Sequence, residues 1–160
     1  MGPTRRGLWL LSLLLLAPAH AAEGAGSTAE SPAEGPAAIL ALRGYDAVSY
    51  FLPGGPVAGS ERFELPWRGR AWRFASAGNR AAFAAGPEAY APRLGGNDPV
   101  GVLDGRLVDA DPLVFALLRG RLYLFRDAER RARLIADPGL ADRAEARWPD
   151  LARLIEPLPR

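Results

Sequence analysis

The sequence predicts an α+β fold: two β-hairpin-plus-helix units packed as one small domain with a C-terminal helix. Three observations carry this. From Arg43 onward the chain repeats itself at an offset of 51 to 52 residues. Each copy holds two apolar runs around an Arg-Gly-Arg turn. Near the end, Leu140, Ala144, Trp148, Leu151 and Ile155 fall on one helical stripe.

In chain order, residues 1–21 read as a signal peptide. Arg5 and Arg6 precede the apolar run from Leu8 to Leu16, and Ala19-His20-Ala21 is an A-x-A cleavage site. That run is about half the ~20 residues a membrane span needs. Cleavage is therefore expected rather than anchoring, with no stable membrane insertion afterwards and a periplasmic or secreted location. No cysteine stands at the junction to take a lipid. Residues 22–38 are a linker of Ala, Gly, Ser, Glu and Pro, disordered by composition. The folded domain is expected over 39–156, with repeat units at 44–95 and 96–148.

Within it, Gly44-Tyr45-Asp46-Ala47-Val48 answers to Gly96-Asn97-Asp98-Pro99-Val100. Arg68-Gly69-Arg70-Ala71-Trp72-Arg73-Phe74 answers to Arg119-Gly120-Arg121-Leu122-Tyr123-Leu124-Phe125, and Pro87 to Pro138. Phe63 to Trp67 with Ala71 to Ala75, and Leu113 to Leu118 with Leu122 to Phe125, predict hairpins turning at glycine. By period two, Trp72 and Phe74 share a face, as do Tyr123 and Phe125. A helix capped by Ser76 follows the first hairpin and stops at Gly86-Pro87; one capped by Asp127 follows the second and stops at Asp137-Pro138-Gly139. The last helix is expected from Leu140 to Ile155, with an interruption before Pro149 left open.

Composition excludes much chemistry. All 20 basic residues are arginines, there is no cysteine, and the one histidine, His20, lies in the signal. The processed chain lacks the commonest general base, the thiolate nucleophile and the Schiff-base amine. Ser49, Ser60 and Ser76 have no histidine or lysine to activate them. Losing Arg5 and Arg6 takes the formal charge from +2 to about zero, so no nucleic-acid partner is expected.

Gly44-Tyr45-Asp46-Ala47-Val48-Ser49-Tyr50-Phe51 with Pro56-Val57 and Gly59-Ser60 is similar to the opening of exported YHS-domain proteins. Trp72-x-Phe74-x-Ser76-x-x-Asn79-Arg80-x-x-Phe83, then Pro87-x-x-Tyr90-Ala91-Pro92 and Gly95-Gly96, extends the resemblance. Gly120-x-Leu122-Tyr123-Leu124 and Trp148-Pro149 carry it toward the C-terminus. Metal-handling modules of this kind have cysteines where this chain has Ser49, Ala75 and Asn79, and in the second copy Gly101, Arg126 and Arg130. Gly95-Gly96-Asn97-Asp98-Pro99 stands where many exported relatives have Gly-Gly-Tyr-Cys-Ala. The resemblance therefore implies the fold without a thiolate metal function.

The candidate ligand-binding residues are Tyr45, Asp46, Tyr50, Asn79, Arg80, Asn97 and Asp98. Asp46 and Asp98 either converge on a hard cation or polar ligand or cap local backbone N–H groups; capping is favoured. Asp104, Asp109 and Asp111 read as solvated turn residues, without calcium-loop spacing. Tyr45, Tyr50, Trp67, Trp72 and Tyr90 line a pocket or pack the core. Asn79-Arg80 meets an anion or makes a surface ion pair. The expected function is an exported, non-catalytic YHS-type binding module for a small ligand or protein partner, with no cofactor. The alternative is a metal-handling protein holding a hard divalent cation through carboxylates; a purely structural member of an assembly is a third reading.

Overall fold

The chain must reverse within two residues at Arg68-Gly69 and Arg119-Gly120, and both pairs lie at positive φ, 47° and 69° in the first and 51° and 71° in the second. This is the type I′ turn, whose twist suits the strands it joins. It closes two antiparallel hairpins, β1 (Ser60–Trp67) with β2 (Arg70–Phe74) and β3 (Asp111–Leu118) with β4 (Arg121–Phe125). The register steps from Ser60↔Phe74 to Glu64↔Arg73 in one, and from Asp111↔Phe125 to Phe115↔Leu124 in the other. The same bulge thus interrupts both first strands, which begin earlier than their apolar runs suggest. The computed structural model describes residues 39–154; the expected signal at 1–21, the linker at 22–38 and positions 155 and 156 lie outside the described residues.

Helix α1 (Ala77–Ala85) starts on Ser76, whose Oγ accepts from the Asn79 amide at 3.1 Å. Gly86-Pro87 ends it and at once opens a short helix, α2 (Pro87–Tyr90), since proline suits a first helical turn. Helix α3 (Pro99–Leu103) starts on Asp98 in the same way, and α4 (Ala128–Ala136) starts on Asp127, whose Oδ1 accepts from the Arg130 amide at 2.9 Å. Helix α5 (Gly139–Ala152) runs through Pro149 and stops within a turn of it. Neither α2 nor α3 was expected from the pattern; four and five residues are too few to show a period. Among the described residues no helix is long and apolar enough to cross a membrane.

The fold is α+β, and its two halves bury equivalent side chains. Val48, Trp72, Phe74 and Phe83 form the first core, and Val100, Tyr123, Phe125 and Leu134 form the second. Phe83 is fully buried, with its ring 4.8 Å from Trp72 and edge-on to Trp67 at 5.5 Å. Strand β4 is buried on both faces. Leu122 and Leu124 turn from their own hairpin's core toward Tyr50, with Leu42, Tyr45, Phe51 and Phe115 packed around them. The Tyr50 hydroxyl donates to the Pro112 carbonyl at 2.9 Å and bolts the halves together. Burial, with the charges of neighbouring Tyr45 and Asp111, pushes its pKa well above the usual tyrosine range, so it stays a donor.

Candidate functional site

Each half brings its chain into the hairpin through a left-handed turn: Leu42, Arg43 and Gly44 at φ 51°, 49° and 88°, then Leu94, Gly95 and Gly96 at 57°, 60° and 83°. The turn aims Asp46 or Asp98 inward. Asp46 is 0 % exposed. Its Oδ1 accepts from the amides of Val48 at 2.8 Å and Ser49 at 3.4 Å. Its Oδ2 accepts from the Ala75 amide at 2.9 Å and from Asn79 Nδ2 at 2.6 Å. One carboxylate thus ties the turn to the end of β2 and the first turn of α1. Positions 49, 75 and 79 gather around it, and Ser49 Oγ donates to the Asp46 carbonyl at 2.6 Å.

Asp98 repeats the arrangement, also at 0 % exposure. Oδ1 accepts from the Gly101 amide at 2.8 Å and from Arg130 Nη1 at 2.9 Å, and Oδ2 accepts from the Arg126 amide at 3.0 Å. Where Asn79 serves Asp46, a guanidinium serves Asp98. The hydrogen bond to Asp98 raises the Arg130 pKa against the opposing effect of burial.

The seven residues expected to bind ligand do not gather at one surface. Asp46 and Asn79 meet, but inside the fold. Asp98 forms its own hub, and Asp46 and Asp98 share no hydrogen-bond partner. Arg80 donates through Nε to the Glu64 carbonyl at 2.9 Å; Arg131, its counterpart, does the same to Phe115 at 2.6 Å. Asn97 Nδ2 donates to the Leu94 carbonyl at 3.0 Å, while Tyr45 and Tyr50 pack between the halves. Trp67, Trp72 and Tyr90 belong to the first core. Among the described residues no three carboxylates stand close enough to hold a metal ion. Asp104 pairs with Arg106, and Asp111 caps the Leu113 amide.

A stronger electrostatic cluster sits on α5. Glu145 receives Arg93 on both oxygens, at 3.0 and 2.9 Å, and Arg121 at 2.9 Å, while the Tyr123 hydroxyl donates to Oε1. Burial pushes the Glu145 carboxyl up, but hydrogen bonds from Arg93 and Tyr123 and the charges of Arg93 and Arg121 outweigh it and hold the pKa at about 2. Burial first, then the bond to Glu145, pushes Tyr123 up to about 12. Both groups sit far from neutrality, where a general acid or base works best. The cluster is a clamp joining the 93–96 turn, β4 and α5.

Among the described residues an open cleft of about 500 Å³ is lined by Arg43, Leu107, Val108, Asp109, Asp111 and Arg126. Neither Arg43 nor Arg126 directs its guanidinium at a described hydrogen-bond or ion-pair partner, unlike Arg93, Arg121 and Arg130. Sequence reading missed this site. The signal lay in the repeat itself, where Arg43 answers to Gly95 and Arg126 to Ala75. No family model, curated protein or solved structure matches the chain.

Proposed function

We propose that the chain is a non-catalytic binding module that works after export and takes a small ligand or a protein partner. The observation that carries this reading is where the ionisable groups have gone. The two carboxylates placed inward by the fold are sealed and satisfied by backbone amides, and the shifted Glu145–Tyr123 pair is held away from neutral pH. Among the described residues, no buried side-chain nitrogen or oxygen lacks a partner. Such a set stiffens a scaffold and leaves recognition to its surface. The resemblance to YHS-type modules supports the same role, with Asp46 occupying the centre around positions 49, 75 and 79.

The test is thermal unfolding of the purified protein against small molecules and, separately, divalent cations. A ligand at about 100 times its Kd adds roughly 2.7 kcal/mol to a folded state that alone binds it. A saturable rise in Tm from a compound recovered unchanged supports the module. Conversion of that compound to product refutes the non-catalytic reading. A cation-specific rise, lost in Asp46→Asn, replaces it with the carboxylate metal reading.

A further inference from the structure

The two copies act as an internal control. What both keep, the fold needs: the buried aspartate, the bulge, the arginine on the bulge carbonyl. A side chain that only one copy has, and that no contact of the fold engages, is free for another use. Arg43, Asp109, Asp111 and Arg126 stand where the other copy has Gly95, Ala58, Ser60 and Ala75. The backbone role of the last pair is the same, since the amides of Ala75 and Arg126 both donate to their hub aspartate. The guanidinium of Arg126 is thus not required by the hub. Arg43 is stranger still. It holds φ 49°, a conformation glycine adopts freely and arginine adopts at a cost, and its counterpart is glycine at φ 60°.

These four charged residues line one cleft. No ion pair joins its arginines to its aspartates within 4 Å, and of the four side chains only that of Asp111 makes a hydrogen bond, accepting from the Leu113 amide. Both signs therefore keep binding capacity at one place. Two guanidiniums match a carboxylate. Two carboxylates favour an ammonium and repel a polyanion. Exposed Leu107 and partly exposed Val108 add an apolar edge to an otherwise polar, open cleft. We infer that the cleft binds a small zwitterion, a free amino acid or dipeptide, with its carboxylate toward Arg43 and Arg126 and its amine toward Asp109 and Asp111. The inference rests on the binding-module reading and names that module's ligand class and site.

The experiment is an amide chemical-shift titration of the purified protein with L-alanyl-L-leucine, with acetate and ethylamine as single-sign controls. The dipeptide should saturate shifts at Arg43, Asp109 and Arg126, at least tenfold more tightly than either control. Arg43→Gly and Arg126→Ala, each installing the other copy's residue, should weaken binding at least tenfold with Tm maintained. No saturation by about 10 mM, equal binding of acetate, or unchanged affinity in both variants overturns the inference. Saturating shifts that map away from the cleft also overturn it, yet leave the binding-module reading standing.

Discussion

Replacing Asp46 with asparagine keeps the size of the side chain, removes its charge and turns one acceptor oxygen into a donor nitrogen. Whichever way the amide faces, its NH2 meets N–H groups, those of Val48 and Ser49 on one side or Ala75 and Asn79 on the other. A hydrogen bond to a charged acceptor contributes about 1.5–3 kcal/mol, and a buried donor left unpaired costs about 1–3 kcal/mol. With at least one bond lost outright and the rest weakened, the cost is about 3–5 kcal/mol. At about 4 °C per kcal/mol for a domain of this size, Tm should fall by roughly 12–20 °C in circular dichroism or calorimetry. Asp98→Asn should cost at least as much, because it also removes the nearer of the two carboxylates paired with Arg130, at 2.9 Å, and leaves only Asp127 at 3.7 Å. An Asp46→Asn protein melting within about 2 °C of the parent would refute the structural role of the Asp46 hub. Loss of ligand binding at unchanged Tm would make Asp46 a recognition group instead.

Glu145 sets an acid limb. Its pKa of about 2 lies below the ordinary 4.5, so its contribution is complete above about pH 5 and is lost as pH falls through 4.5 toward 2. At about 1.4 kcal/mol per tenfold change in proton affinity the ceiling is about 3 kcal/mol. Glu145→Gln should flatten Tm against pH across that window; an unchanged acid limb would count against the clamp. Arg119→Asn should raise Tm by about 2–4 °C, since asparagine suits the φ of 51° and the exposed pair with Asp142 contributes little; a lower Tm would show that the pair outweighs the turn. Tyr50→Phe should cost about 1–2 kcal/mol by orphaning the Pro112 carbonyl while leaving cleft binding intact, and lost binding would restore Tyr50 to the ligand site.

The hairpins and the caps of α1 and α4 were legible because their causes are local. Glycine permits the turn, period two sets the faces, and Ser76 or Asp127 reaches an amide three residues on. The first half of each hub was legible too, in the capping of nearby amides by Asp46 and Asp98. Its second half was not. Ala75 and Asn79 lie 29 and 33 residues from Asp46, a distance no spacing rule spans. Alternation put Tyr123 and Phe125 on one face of β4, yet Leu122 and Leu124 on the other are buried as deeply. Burial there comes from the other copy, which period two cannot register. The candidate list failed to gather for a related reason: Asp46 and Asp98 are sealed in separate hubs, and Tyr45 and Tyr50 pack between the copies.

The contact of Tyr50 with Leu122 and Leu124 also bears on how the outer faces of the two copies are finished. It joins different surfaces of the two copies, and such a head-to-tail contact can in principle be extended without limit. Both ends refuse. The face of β2 matching Leu122 and Leu124 carries Ala71 and Arg73, and Arg73 is engaged by Glu61 at 2.8 Å and Glu64 at 3.0 Å. The counterpart of Tyr50 is Val102, already covered by Ala144 and Leu151 of α5. One end is finished with charge and the other with a helix, as capping repeats finish a solenoid. Among the described residues, neither outer face repeats the surface that joins the two copies.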